Sequence, residues 1–318
     1  MRGRFAPTPS GPMHIGNAST ALLAWLQTRS ADGEFLIRIE DVDATRSKAE
    51  LAEQALTDLR WLGLDWDEGP DIGGSRGPYT QSERTAAYEE ALTALDRAGR
   101  LYSCFCSRAE LASVASAPHG LGSEGPSYPG TCSSLTPMQR EAKRLRKQPS
   151  LRFMLGSQPV EFLDAVAGPQ AFPTGAGGDF IVKRADGMFS YQLAVVVDDA
   201  MMGVTDVLRG ADLLDSTPRQ LQLYEALGLR PPRFAHVPLM FGSDGKRLAK
   251  RHGGLSLAAL RSAGIAPEEV VGWLAAVSGL TPTAEPVRAS ELIRHFRIEQ
   301  VTTESITVTD GMLGQLIG

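Results

Sequence analysis

Residues 2 to 40 place a strand, a rigid turn, a helix and a second strand in direct succession, and that order restricts the fold more than any other feature of the chain. RGRFA at 2 to 6 reads as a short strand, cut by Pro7 and Pro9 because proline fixes φ and lacks the N–H that a ladder needs. A helix is expected from about Gly16 to Ser30, with Ala21, Leu22, Trp25 and Leu26 at helical spacing. EFLIRIE at 34 to 40 alternates, with Phe35, Ile37 and Ile39 on one face and Leu36, Arg38 and Glu40 on the other. Strands joined through a helix pair in parallel. A second helix from about Ser47, with its stripe at Leu51, Ala55, Leu59 and Leu62, extends the rhythm, so the expected class is α/β with a parallel sheet.

The middle of the chain changes character. Residues 115 to 130 are rich in Ser, Gly and Pro and read as loop, followed by short β-like runs at Leu151 to Leu155, Val160 to Asp164 and Phe180 to Arg184. The expected organisation is a first half of the nucleotide-binding sheet at 1–100 and an insertion at 101–185. The second half follows at 186–255, and a short helical region occupies 256–318, including a helix at Pro267 to Ser278.

Composition excludes several classes. Hydrophobic residues make up 42% and charged residues 22%, enough for a packed core without disulfides. A net charge of -5 argues against a nonspecific coat for nucleic acid, while leaving room for a local basic face. MRGRFAPTPSGPMH lacks the apolar centre of a secretory signal, and no run approaches the roughly 18 apolar residues of a membrane span. With three cysteines, the chain is expected to be cytoplasmic, free of membrane and monomeric.

Ligands of an open parallel sheet bind at the carboxyl ends of its strands, where RFAPTPSGPMHIGN stands. Pro9, Ser10, Gly11 and Pro12 allow close approach to backbone. Gly16 and Asn17 then open a helix whose free N–H groups suit phosphate, and His14 can donate to a phosphate oxygen. Neither a P-loop nor a G-x-G-x-x-G fingerprint is present. A plain turn would explain the glycines and prolines, but not the whole string. In GSDGKRLAKRHGG at 242 to 254, glycines flank Lys246, Arg247, Lys250 and Arg251, a loop able to bring positive charge onto polyphosphate. Alone, such a loop is more often a solvated turn; its weight comes from the first motif.

Together these segments resemble the signatures of class I aminoacyl-tRNA synthetases. HIGN at 14 to 17 is similar to the HIGH motif, and RLAKR at 247 to 251 to the KMSKS loop. The closer resemblance is to the glutamyl branch, through RFAPTPSGPMHIGN, IRIEDVD at 37 to 43, YQLAVVVDDAMMGVTDVLRGADLL at 191 to 214 and DGKRLAKRHG at 244 to 253, four blocks in family order over roughly residues 2 to 255. It implies a Rossmann-like catalytic domain split by a zinc-containing insertion. It further implies that Arg4, Phe5, Ala6, Pro7, Thr8, Glu40, Tyr191 and Arg209 bind L-glutamate, with Glu40 meeting the ammonium. ATP would lie against His14, Gly16, Asn17, Arg247 and Lys250, with magnesium, and His14 and Lys250 would act in catalysis. Simple electrostatics agrees, since an amino acid with two carboxylates and an ammonium needs both charge signs. Arg247 and Ala249 depart from the usual Lys and Ser of the loop, so altered loop kinetics are expected.

Cys104 and Cys106 stand two apart, and Cys132 follows the Gly/Ser-rich loop. Tetrahedral zinc wants four ligands, and metal chemistry alone points to His119 as the fourth. YPGTC resembles a zinc submodule of short glutamyl-synthetase-like proteins in which a tyrosine completes the site, which implies Cys104, Cys106, Tyr128 and Cys132 around one structural zinc. Three buried thiols remain the plain alternative.

Only residues 252 to 318 follow the basic loop, too few for the long helical anticodon-binding region of a discriminating glutamyl enzyme. This resembles a short paralogue within the branch that activates glutamate without tRNA and places it on the queuosine base of tRNA(Asp). A minimal enzyme charging tRNA(Glu) is the alternative within the class, and a non-catalytic, zinc-stabilised nucleotide- or RNA-binding module is the rival outside it. QREAKRLRK at 139 to 147 can touch RNA phosphates, although such runs are more commonly solvated helix faces.

Overall fold

A computed structural model describes residues 1–107, 110, 128–246, 248 and 255–317. The first unit forms as its pattern dictates. Strand β1 (Arg2–Phe5) leads through the proline turn to helix α1 (Ile15–Arg29), and β2 (Glu34–Ile37) returns parallel to β1, Arg2 opposite Glu34 and Phe5 opposite Ile37. Pairing continues past the regular ladder, with Arg38 N–H donating to Phe5 O (3.1 Å) and Glu40 N–H to Pro7 O (3.0 Å), which carries Glu40 to the carboxyl edge beside the turn. Leu36, Ile37, Arg38 and Ile39 are all buried, so both faces of this segment are covered. Gly3 permits α1 to press on β1: a Cβ there would lie 2.0 Å from Thr28 Oγ1.

Helices α2 (Ala49–Trp61) and α3 (Thr85–Arg97) follow, α2 burying Ala55, Leu56 and Leu59. Between residues 101 and 185 two structures are distinguishable. β3 (Leu101–Cys104) starts a three-stranded antiparallel sheet completed by β4 (Ser150–Phe153) and β7 (Phe180–Lys183), with α4 (Pro137–Arg144) alongside. β5 (Val160–Asp164) and β6 (Gly168–Phe172) form a hairpin.

Helix α5 (Tyr191–Met201) then leads to β8 (Asp206–Gly210), α6 (Thr217–Ala226) and β9 (Arg233–Val237). β9 pairs in parallel with β8 on one side and, at Asp164–Phe234, with β5 on the other, so the hairpin joins this sheet in the order β6-β5-β9-β8. β1 lies against β8, Thr205 N–H donating to Arg2 O at 2.9 Å. The carboxyl ends of β1, β2 and β8 thus face one another.

The last part contains β10 (Met240–Gly242), α7 (Leu257–Ser262), α8 (Pro267–Val277), α9 (Ala289–Leu292), β11 (Ile306–Val308) and α10 (Asp310–Ile317). It is not purely helical as expected: β11 returns to pair in parallel with β10, giving the exposed backbone of that short strand a partner. α1 and α8 meet in the main core, where Ile15, Leu22 and Leu26 share one buried cluster with Val270, Trp273 and Leu274. No helix among the described residues is long and apolar enough to cross a membrane.

Candidate active site

A cavity of about 740 Å³ opens at these strand ends. It brings together Arg4, Phe5, Ala6, Pro7, Thr8, Glu40, Tyr191 and Arg209, together with His14, Gly16 and Asn17 from the start of α1. Arg247 and Lys250 lie outside the described residues, as does His119.

His14 is the N-cap of α1. Its Nδ1 accepts from Gly16 N–H at 3.1 Å, while Asn17 Oδ1 accepts from His14 N–H at 3.4 Å. An accepting Nδ1 in a neutral ring leaves the proton on Nε2. The helix dipole adds positive potential at the same end. Two bonds hold the chain on either side of residues 249–254: Leu248 N–H donates to Met240 O at 2.9 Å and Leu248 lines the cavity, while Leu257 N–H donates to Met13 O at 2.9 Å, next to His14. The two motifs therefore meet at one cavity, although 242–254 is far from 14–17 in the chain.

Behind Arg4 and Glu40 the cavity borders a buried charge network. Arg38 donates to Asp199 Oδ1 at 2.7 Å and to Glu40 Oε1 at 3.0 Å. Arg4 approaches Asp199 at 3.5 Å through Nε and donates from Nη1 to Leu208 O at 3.2 Å. Asp198 accepts from Arg84 (2.6 Å), Gln81 (2.8 Å) and Tyr88 (2.8 Å). Burial pushes the Glu40 carboxyl above its ordinary value despite the nearby Arg38 and Arg4 charges. For Asp199, the opposing pull of Arg38 and Arg4 outweighs burial and holds the carboxyl low. Burial and the Glu40 charge raise the Tyr191 phenol, keeping it a neutral hydrogen-bonding group. Arg209 is buried, and its Nη1 has no hydrogen-bond partner among the described residues. The cavity therefore offers a cationic group to a carboxylate and Glu40 to an ammonium, with a helix N-terminus further along.

Arg38, Asp198, Asp199 and His236 were not singled out from sequence. One signal was available: two adjacent acids, Asp198 and Asp199, interrupt an otherwise apolar helix, and buried acids require partners. Glu40 was expected to end β2, yet it lies three residues beyond the regular ladder.

A separate cluster sits at the end of β3. Tyr128 Oη lies 3.5 Å from Cys104 Sγ and 3.7 Å from Cys106 Sγ, and Cys106 Sγ lies 3.6 Å from Cys132 Sγ. The three sulfurs fall within 4.8 Å of one another. A tetrahedral ion with Zn–S of about 2.3 Å and Zn–O of about 2.0 Å requires edges of about 3.8 Å and about 3.5 Å, so the donor set fits a metal. The cluster is absent from the lining of the cavity.

The profile of the family described as "tRNA synthetases class I (E and Q), catalytic domain" matches residues 1–313. The chain is 61% identical to the glutamyl-Q tRNA(Asp) synthetase of Symbiobacterium thermophilum, covering 99% of this chain and 98% of that protein. It is 46% identical to the protein of that name from Nitratidesulfovibrio vulgaris, with 99% and 98% covered. Glutamate–tRNA ligase 2 of Alkalilimnicola ehrlichii is 49% identical, with 86% of this chain and 58% of that protein covered. Among solved structures, the glutamate–tRNA synthetase from Elizabethkingia anophelis superimposes with a TM-score of 0.85 at 28% identity, covering 98% of this chain and 68% of that one.

Proposed function

The chain belongs to the class I tRNA synthetase family for glutamate and glutamine, and from that premise we propose that it activates L-glutamate with ATP, without RNA, and transfers it to the queuosine base of tRNA(Asp). The observation that carries the reading is the convergence of Arg4, Glu40, Tyr191 and an Arg209 with an unpartnered Nη1 on one cavity. Arg209 takes the side-chain carboxylate, Glu40 the ammonium, and Tyr191 a hydrogen bond.

The reacting carboxylate oxygen attacks the α-phosphorus of ATP, and the bond from that phosphorus to pyrophosphate breaks, giving glutamyl-adenylate. His14 Nε2–H, the N-terminus of α1 and Lys250 from the basic loop stabilise the phosphate charge. Magnesium, carried with ATP, neutralises further charge when bound. Positioning and electrostatics supply most of the rate, and no side-chain nucleophile is used. A hydroxyl of the modified base then attacks the glutamyl carbonyl, its proton leaves, and AMP departs. Cys104, Cys106, Cys132 and Tyr128 hold one structural zinc, remote from this chemistry. The choice of tRNA(Asp) follows the end-to-end similarity to proteins named for it, against partial coverage of a glutamate–tRNA ligase.

Glutamate-dependent ATP–pyrophosphate exchange without RNA, followed by transfer assays on queuosine-containing tRNA(Asp) and on tRNA(Glu), tests this. Exchange with transfer to tRNA(Asp) alone is expected. Transfer to tRNA(Glu) alone would replace the acceptor, and absence of exchange would overturn the catalytic reading.

A further inference from the structure

Arg209 reaches the cavity with two of its three guanidinium nitrogens already held. Nε–H donates to His236 Nε2 at 2.9 Å, and Nη2 donates to Thr217 Oγ1 at 2.9 Å, leaving buried Nη1 unpartnered among the described residues. A guanidinium only donates, so His236 Nε2 must accept, and the ring proton belongs on Nδ1. Nδ1 faces Asp164 Oδ2 at 2.5 Å. The other oxygen, Asp164 Oδ1, accepts backbone N–H groups of Val166 (3.0 Å), Ala167 (2.8 Å) and His236 (3.0 Å). The Asp164 and His236 side chains are wholly buried, and the three groups come from adjacent strands in the order β5, β9, β8.

Resting on the glutamate reading above, we propose that Asp164 and His236 are positioning residues: Asp164 fixes the Nδ1–H tautomer of His236, whose Nε2 then aims Arg209 so that Nη1 meets the ligand's side-chain carboxylate. Neither touches the ligand. Charge supports the arrangement independently. Burial keeps His236 below the ordinary imidazole value and so neutral. Burial alone would raise Asp164, but the bonds from His236 and the backbone outweigh it and keep the group a carboxylate. An ionised Asp164 also places negative charge behind a buried cation through a neutral, polarisable ring. The hairpin that joins the sheet through β5 thereby has a part in the site that its position in the chain does not suggest.

Asp164→Asn tests the relay because it is isosteric. Its oxygen can keep the backbone N–H groups, but its amide then presents donors to Nδ1. The ring must move its proton to Nε2, directly opposing the Arg209 donor. The expected result is a Kd for L-glutamate raised about tenfold or more, ATP affinity changed by less than about twofold, and a His236 15N spectrum switched to the Nε2–H tautomer. His236→Gln, which keeps an acceptor for Arg209, should bind glutamate more tightly than His236→Ala, and this pair carries the test if the Asn variant does not fold. Unchanged glutamate affinity, loss without a tautomer change, equal loss for ATP, or equality of the Gln and Ala variants would each overturn the relay. Unaltered protein that binds no glutamate would overturn the substrate reading itself. Glutamate binding that Asp164→Asn leaves intact would overturn the relay alone.

Discussion

Arg38 donates from Nη1 to Asp199 Oδ1 at 2.7 Å with neither side chain more than 2% exposed, tying the segment that follows β2 to α5. The same guanidinium holds Glu40 through Nη2 at 3.0 Å, so one buried cation sets the position of the acid proposed to meet the ammonium. Removing one member of a buried ion network costs more than its net worth, because the remaining charges stay desolvated.

Arg38→Met is therefore expected to destabilise the chain by ~3–5 kcal/mol. Urea unfolding monitored by tryptophan fluorescence reads this directly. Arg38→Lys should recover only part of the loss, since an ammonium lacks the planar fork that reaches both acids. A loss of less than about 1 kcal/mol in Arg38→Met would mean that the network is not held as described.

Glu40 and Asp199 should respond to pH in opposite senses. The Asp199 carboxyl is lowered in the folded chain, so its contribution to stability is present above the ordinary carboxylate range and is lost as pH falls through the folded value. Glu40 is raised by burial, so its contribution is fullest below the ordinary range and is lost as pH rises through the folded value. Ligand affinity runs the other way from Glu40's stability contribution: an ammonium wants the carboxylate, so glutamate binding weakens as pH falls through the raised value. Glu40→Gln should weaken binding about tenfold or more and flatten that acidic limb. Calorimetric titration across acidic pH checks both, and an unaltered limb in the variant would remove Glu40 from the ammonium site.

Much of this site was legible as spacing. The proline turn, the helix that follows and the alternating second strand come from local rules, and α1 and β2 form within a few residues of the expected bounds. The same holds for Val160 to Asp164 as a strand. What escaped was the partner of each element. No local rule says that β5 pairs with β9, or that β11 returns to β10, because sheet neighbours are chosen by long-range packing. The Asp164–His236–Arg209 chain escaped for the same reason, its three residues sharing no motif and meeting only once three strands lie side by side. The nearness of Cys104 and Cys106 was legible because they stand two apart in the chain, and the fold brings Cys132 to them.

The cysteine cluster should bind one zinc ion per chain in zinc-replete protein. At free zinc about one hundred times Kd, binding to the folded state alone adds about 2.7 kcal/mol. Chelation should lower the thermal midpoint, and Cys132→Ser should do so without further response to chelator. Tyr128→Phe should weaken zinc binding while leaving the three sulfurs. Metal analysis with thermal scans decides this; a chain that stays metal-free in excess zinc would leave three free thiols, Cys104 and Cys132 buried and Cys106 half-buried.

Gly16 separates the role of the α1 N-terminus from that of the core. A Cβ at this position would lie 3.1 Å from both Cε1 and Nδ1 of His14, tighter than ordinary packing, whereas the glycine lets the imidazole fold back onto its own helix. Gly16→Ala removes no core contact, and alanine favours the helix by up to about 1 kcal/mol, so stability should hold or rise. The His14 ring must swing by a few tenths of an ångström, which misdirects the Nε2–H proposed to meet phosphate. Pyrophosphate exchange is expected to fall about tenfold or more, as for a lost transition-state donor, with glutamate Kd changed by less than about twofold. Kinetics and calorimetry on the same preparation read the two quantities. Equal loss of glutamate binding would show that the turn and the amino-acid end move as one body, whereas undiminished exchange would remove His14 from the phosphate site.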